Sequence, residues 1–276
     1  MEINDTISQT QVTINSYGDS LNEIYVKKFT IIIPAYNEEK RIKPVIDEIC
    51  TYISSNNIPW NIVVSIDGND GTENLISSMS NEYHFLNYTK GVDREGKGAA
   101  IKRALNIASG EFLILMDADG AITFGDMVRN LPYLYQYDMI NFNRYKNSEN
   151  KIPKLRRYVS RGYNWYIRLL LGVDVEDTQC GYKIMRMESA RRIFHKLTIT
   201  NGFFYSPLFV YLKKMNMKTI EVSVRYIHSD GSKFNIASMI LGGFISAITF
   251  KLRNSFLWKY VPKWAVDLYY RKFKWI

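Results

Sequence analysis

The chain has 276 residues, 46% hydrophobic and 23% charged, enough for one large α/β domain or two small ones with a substantial core. Its two cysteines, Cys50 and Cys180, form no Cys-x-x-Cys pair and its three histidines are scattered, which argues against a zinc site and a disulfide framework and for a reducing compartment. The net charge is +9, and residues 251–276, with seven Lys or Arg against Asp267 alone, carry +6 of it beside Trp258, Trp264 and Trp275. Basic residues interleaved with aromatics suit a lipid headgroup surface or a nucleic acid.

Residues 1–22 are polar and lack an apolar core, so the expectation is a loosely held extension and no signal peptide. Phe29-Thr30-Ile31-Ile32-Ile33, stopped by Pro34, predicts a strand buried on both faces, as in a parallel sheet. Ile42, Val45, Ile46, Ile49 and Ile53 then recur at helical spacing, with Pro44 early enough to sit in a first turn. Trp60 to Ile66 predicts a second buried strand, followed by the turn-rich Asp67-Gly68-Asn69-Asp70-Gly71 and a short helix to about Met79. Phe85 to Tyr88 is a third candidate strand. Gly96-Lys97-Gly98 opens a helix over about Ala99 to Ser109, with Gly110 as its expected stop. Phe112 to Met116 is another buried strand and runs directly into Asp117.

Beyond that point the pattern is less regular. Residues 154–171 predict a helix with a basic side of Lys154, Arg156, Arg157, Arg161 and Arg168. Tyr182 to Met187 and Thr219 to Ile227 read as strands, and Asn201 to Met215 and Phe234 to Phe250 as helices. The last of these is 17 residues long, interrupted by Asn235, Ser238 and Gly242-Gly243, and short of a confident membrane span.

Strands alternating with helices predict a mostly parallel α/β sheet, and ligands on such sheets collect at the carboxyl ends of the strands. Three polar clusters stand at those ends: Pro34-Ala35-Tyr36-Asn37-Glu38, Asp67 to Asp70, and Asp117-Ala118-Asp119. Two carboxylates one residue apart at a strand end can face one cation, and Mg²⁺ or Mn²⁺ readily takes a carboxylate or two plus phosphate oxygens. Taken alone, the same pair could cap a following helix, Asp67 could be a turn former, and Glu38 could be a first-turn acid. No Gly-x-x-x-x-Gly-Lys-Ser/Thr and no Gly-x-Gly-x-x-Gly after a strand is present, which disfavours a P-loop ATPase and a dinucleotide-binding enzyme. Lys97 between two glycines at a helix start can still meet an anion.

The ordered motifs Pro34 to Glu38, Asp67-Gly68, Gly96-Lys97-Gly98 and Asp117-Ala118-Asp119 resemble those of family-2 inverting glycosyltransferases with the GT-A fold. Asp117-Ala118-Asp119-Gly120-Ala121, Asn143-Arg144, Asp177-Thr178-Gln179-Cys180-Gly181-Tyr182-Lys183 and Gly231-Ser232-Lys233 are similar to the dolichyl-phosphate β-glucosyltransferase branch, and the likeness spans roughly residues 28 to 255. The resemblance implies that Pro34, Tyr36, Glu38, Asp67, Lys97, Asp117 and Ala118 bind the nucleotide sugar, and that Asp117 and Asp119 hold Mg²⁺ or Mn²⁺. It implies further that Asp119, Asp177, Gln179 and Arg144 serve the reacting centre, and that Arg157, Arg161, Ser232 and Lys233 surround an acceptor phosphate. Two departures stand out. The family's Asp-x-Glu after the Asp-Thr-Gln-Cys-Gly block is replaced by Phe204-Tyr205-Ser206-Pro207-Leu208, and Asp67 follows Ile66 where a second Asp is common.

The implied activity is transfer of a hexose, with UDP-glucose as leading donor, onto a polyprenyl (dolichyl) phosphate with inversion. GDP-mannose as donor, a non-lipid acceptor, and a non-catalytic sugar-nucleotide binder are the alternatives. The expected layout is a polar extension (1–27), a catalytic domain (28–233) and an amphipathic basic-aromatic segment (234–276). That segment is expected to lie on the cytoplasmic face of a membrane rather than cross it. No nucleic-acid motif accompanies the basic tail, so nucleic acid is not an expected partner.

Overall fold

A computed structural model describes residues 23–24, 26–92, 94–150, 152–197, 202–227 and 236–264. The strands are β1 (Phe29–Tyr36), β2 (Asn61–Asp67), β3 (Leu86–Lys90), β4 (Phe112–Leu115), β5 (Met139–Asn143), β6 (Lys183–Arg186) and β7 (Thr219–Ser223). The helices are α1 (Ile42–Asn56), α2 (Thr72–Glu82), α3 (Lys97–Ile107), α4 (Phe124–Val128), α5 (Lys154–Leu171), α6 (Met187–Lys196), α7 (Tyr205–Lys214) and α8 (Ile236–Arg253).

The seven strands form one sheet in the order β3-β2-β1-β4-β6-β5-β7. Neighbours pair in parallel except β6, which runs antiparallel to both β4 and β5. The period of two along a strand sends alternate residues to opposite layers. Ile31 and Ile33 of β1 join a core with α1 and Trp60, while Ile32 joins a second core with α3, α6 and α7. Helices therefore cover both faces, which is why the strands read as continuous apolar runs.

The predicted strands and the helix over 154–171 are present, with ends shifted by a few residues. Helix α3 ends at Ile107 and is capped by Ala108 in an extended conformation, so Gly110 is not its stop. Gly110 instead has φ +99° in the turn into β4, where a Cβ would lie 2.6 Å from the Lys28 carbonyl oxygen. Strand β5 and helix α6 escaped the sequence reading. In Met139-Ile140-Asn141-Phe142-Asn143 two asparagines interrupt the apolar run, yet all five residues are buried.

Helix α8 buries Ala247 and Phe250 in the same core as β4 and α7, so its inner side belongs to the α/β unit despite the expected boundary at residue 234. It crosses α5 closely: Tyr166 and Phe244 rings lie 4.2 Å apart, and a Cβ on Gly243 would sit 2.7 Å from the Tyr163 hydroxyl. Among the described residues no helix is long and apolar enough to cross a membrane. The polar extension to residue 22, the Gly231-Ser232-Lys233 motif and residues 265–276 lie outside the described residues.

Candidate active site

Register explains why distant polar residues meet. Tyr36 of β1 pairs with Asp67 of β2, and Ile32 pairs with Leu115, so Asp117 emerges beside Pro34. Because β6 is antiparallel, its first residue Lys183 faces Leu115, and the segment 177–182 arrives at the same sheet edge. The carboxyl end of β5 delivers Asn143 and Arg144 there as well. Three strand-end clusters and the Asp-Thr-Gln-Cys-Gly block thus share one edge.

Asp67 is buried and held from two sides: Arg103 Nη2 donates to its Oδ1 at 2.5 Å, and Glu95 N–H donates to its Oδ2 at 3.1 Å. Arg103 also pairs with the Glu95 carboxylate. Gly68 takes φ +96° with the Asn37 amide against its Cα, and Asn37 Oδ1 accepts the Asn69 N–H at 3.1 Å. Glu38 is gripped by Arg41 through two hydrogen bonds of 2.8 and 2.7 Å, which ties it to the start of α1. The Tyr36 ring carries the Arg94 guanidinium 4.4 Å from its centre.

Asp117 and Asp119 flank the buried Ala118 and are themselves half-buried. Lys97, at the first turn of α3, pairs with Asp117 Oδ1. Burial opposes the Lys97 charge, but Asp117, joined by Tyr205 and Asp119, outweighs it and raises the ammonium above its ordinary range. Asp119 Oδ1 accepts the Ala121 N–H at 3.1 Å and the Tyr182 hydroxyl at 3.0 Å. Gly181 lies against Asp117 so closely that any Cβ would overlap the carboxylate. Among the described residues no group of three or more His, Cys, Asp or Glu could enclose a metal. Two half-buried carboxylates at an open strand end suit a hard cation that completes its shell with ligand oxygens, so these residues fit Mg²⁺ or Mn²⁺ bound together with a diphosphate.

Asp177 is fully buried and forms a two-pronged ion pair with Arg144, Nε to Oδ2 at 2.8 Å and Nη2 to Oδ1 at 2.9 Å, with the Arg144 N–H adding a third bond at 3.2 Å. Burial would raise its carboxyl, yet the guanidinium holds it below the usual carboxylate range. Both oxygens are engaged, so Asp177 is placed to hold Arg144 and the segment after it. Glu221 of β7 accepts the N–H groups of Glu176 and Asp177 at 2.8 and 3.0 Å, and Asn164 of α5 accepts from Thr178 N–H and hydroxyl at 3.0 and 2.7 Å. Gln179 donates its amide to the Ser206 hydroxyl at 2.6 Å. Arg161 is exposed on α5, whereas Arg157 has a buried Nε without a hydrogen-bond partner among the described residues. Ser232 and Lys233 fall outside the described residues.

The stretch that replaces the family's two acids is buried under this edge. Tyr205 donates its hydroxyl to the Gly181 carbonyl at 3.1 Å, and its ring meets Lys183 Nζ at 4.5 Å and Lys97 Nζ at 5.2 Å. A neutral π-face between two ammonium groups takes the place of a carboxylate there. Lys183 Nζ also donates to Asn141 Oδ1 at 2.7 Å and the Cys180 carbonyl at 2.6 Å. Burial lowers its ammonium from the ordinary 10.5 to about 8. The unfolded chain then binds more protons than the folded one between about pH 8 and 10.5, so this group makes stability rise with pH across that window. Lys183→Met is expected to remove that rise. Unfolding free energies from denaturant titrations across the window should show the wild type gaining on the variant as pH increases; a constant difference would mean that Lys183 does not titrate there.

Arg103, Glu95, Asn164, Glu221 and Asn141 were not singled out in the sequence. None stands in a motif, and only Glu95, one residue before Gly96-Lys97-Gly98, had a neighbouring signal.

The model of glycosyl transferase family 2 matches residues 30–194. A dolichyl-phosphate beta-glucosyltransferase of Trichomonas vaginalis is 31% identical over 224 residues, covering 76% of this chain and 69% of the relative. Those of Dictyostelium discoideum and Homo sapiens are 27% and 26% identical, covering 78% and 75% of this chain and 70% and 69% of their own lengths. Among solved structures, mannosyl-3-phosphoglycerate synthase from Rubrobacter xylanophilus superposes with a TM-score of 0.61 at 17% identity, covering 86% of this chain and 77% of that one. Glucosyl-3-phosphoglycerate synthase from Mycobacterium tuberculosis, in complex with Mn²⁺, UDP-glucose and phosphoglyceric acid, gives 0.61 at 15% identity, covering 85% and 83%. At such identities these two likenesses speak to the fold, that of the GT-A glycosyltransferases.

Proposed function

The chain belongs to glycosyl transferase family 2, and from that membership and the site at the sheet edge we propose that it transfers glucose from UDP-glucose, with inversion, onto dolichyl phosphate. The observation that carries the reading is the convergence of Asp67, Lys97, Asp117 and Asp119 with the Arg144–Asp177 pair at one edge of the sheet. Its support from relatives is that the proteins described above are named for dolichyl-phosphate glucosyl transfer.

In this reading Asp67, fixed by Arg103, receives the nucleoside, with Tyr36 and Pro34 along the same rim. Asp117 and Asp119 would hold Mg²⁺ or Mn²⁺, which when bound offsets the charge of the departing diphosphate. Lys97, protonated and at a helix N-terminus, adds a second positive charge for the same anion. The acceptor phosphate oxygen forms the new bond to the anomeric carbon as the bond from that carbon to the diphosphate oxygen breaks, and UDP leaves. A phosphate monoester is already anionic near neutral pH, so the attack needs no strong general base. That suits an Asp177 whose oxygens are both committed to Arg144. The residues supply positioning and charge neutralisation. Among the described residues Arg144, Arg157 and Arg161 are cationic donors for the acceptor phosphate, to which the expected Ser232 and Lys233 would add. Two free, buried cysteines suit a reducing environment, and with it the cytoplasmic face of a membrane.

The test is mass analysis of the lipid product after incubation of dolichyl phosphate with UDP-glucose, GDP-mannose and other UDP-hexoses, with Mn²⁺ or with a chelator. Glucosyl phosphodolichol from UDP-glucose alone, lost with the chelator, is the expected result. Nucleotide binding with no product from any donor would overturn it.

A further inference from the structure

Helices α3 and α6 pack side by side over the second core, and a groove of about 800 Å³ runs between them. Its wall carries Lys102 and Arg103 from α3 and Arg191, Arg192, His195 and Lys196 from α6, and no Asp or Glu stands among the described residues that line it. Arg192, His195 and Lys196 are spaced by three and four residues, so they share one side of α6. The positive charge is poorly balanced. Arg103 is committed to Asp67 and Glu95, but Arg192 meets only the exposed Glu188 at 3.8 Å. Lys102 donates to the Leu197 carbonyl, and Arg191 donates to the Leu105 and Ala108 carbonyls at 2.8 and 2.6 Å. These bonds cap the ends of α6 and α3. They fix the two cations in place and leave their charge uncompensated. Burial lowers the Lys102 ammonium, and no carboxylate raises it again.

We propose that this groove is a binding site for a soluble oligophosphate, an anion with two or more linked phosphate groups. A cleft lined by one sign of charge concentrates its potential and draws in the opposite charge. Guanidinium and ammonium groups match phosphate oxygens in geometry and charge, and Arg191 is already held rigid by two carbonyls. The volume lies within the roughly 300–1,000 Å³ common for small-molecule sites. The apolar residues of the wall select against larger partners. Leu105 and Phe194 are only 4% and 1% exposed, so the groove offers no apolar anchor to an acidic peptide or to a lipid chain. The site is separate from the transfer site: Lys97, Asp117, Asp119 and Arg144 take no part in its lining. The inference therefore goes beyond the glucosyl-transfer reading and does not depend on it.

The experiment is isothermal titration calorimetry of the full chain with inorganic tripolyphosphate at physiological salt, with chelator present to keep divalent metal from the active edge. The wild type is compared with Arg192→Glu/Lys196→Glu and with Lys214→Glu/Lys218→Glu, an equal charge reversal at exposed lysines outside the groove. All four positions are exposed, and melting temperatures check that the variants fold. The wild type should bind one tripolyphosphate per chain, undisturbed by saturating UDP-glucose. The groove variant should lose about tenfold or more in affinity, and the control variant should keep wild-type affinity within about twofold. No binding by the wild type, or unchanged binding by the groove variant, would overturn the proposal. Equal losses in both variants would also overturn it, since net charge alone would then explain the binding. Displacement of tripolyphosphate by UDP-glucose would sink it too, by placing the phosphates at the active edge. A polyglutamate peptide bound as tightly as tripolyphosphate would show that the groove reads charge and not phosphate. Binding to vesicles carrying phosphatidylinositol bisphosphate, with none to tripolyphosphate, would replace the soluble ligand with a lipid headgroup and overturn the proposal as stated.

Discussion

Asp119→Asn should lower glucosyl transfer by about a thousandfold while leaving the melting temperature close to that of the wild type. The reason lies in what each oxygen does. Oδ1 accepts from Ala121 N–H and the buried Tyr182 hydroxyl, an acceptor role that an amide oxygen can keep. The negative charge is what a metal would need, and the amide lacks it. Asp119→Ala should lose transfer to the same degree and also lose about 1–3 kcal/mol of stability, because the Tyr182 hydroxyl is left without its acceptor. Steady-state assays over a Mn²⁺ titration, with thermal unfolding of both variants, check this. Full transfer by the asparagine variant would remove the charge, and with it the metal, from the account.

Arg144→Met should be the most damaging single change to the fold among the site residues. It leaves the fully buried Asp177 carboxylate without its counter-charge, a change that typically costs about 3–5 kcal/mol. The pH dependence carries the signature. In the wild type the Asp177 carboxyl sits below its ordinary 3.8, so its stabilising contribution is present above that value and is lost as pH falls through the folded-state value. Without Arg144, burial dominates and raises the carboxyl, so the variant's deficit should be greatest near neutral pH and shrink as acid protonates Asp177. Arg144→Met combined with Asp177→Leu should recover most of the loss, since an apolar pair of similar volume removes the stranded charge. Denaturant unfolding at several pH values measures each case. A single variant whose deficit does not change with pH would show that Asp177 is not the stranded group.

The strands β1, β2 and β4 were legible because they are buried on both faces and need no partner information to be recognised. Strand β5 was not, because Asn141 and Asn143 look like loop residues until Glu221, eighty residues away in the case of Asn141, supplies an acceptor for both amides. Tyr205 and Pro207, on either side of Ser206, looked like lost acids. In the structure Tyr205 lies over Lys97 and Lys183, and Ser206 takes the Gln179 amide, so the polar groups they face have partners without a carboxylate. Helix α5 showed its basic side in the sequence, but the same periodicity could not say which of its remaining sides meets the core.

Local patterning by itself determined the α/β class, the three polar strand ends and the family motifs, since each depends on residues close together in the chain. Only the tertiary structure decided that Arg103 fixes Asp67, that Arg144 commits both oxygens of Asp177, that Asn164 joins α5 to the active edge, and that Lys102, Arg191, Arg192 and Lys196 line one groove. Those outcomes depend on strand register and helix packing, which bring together groups with no fixed relation in sequence. They are settled by the burial of charges and apolar surface in the folded chain.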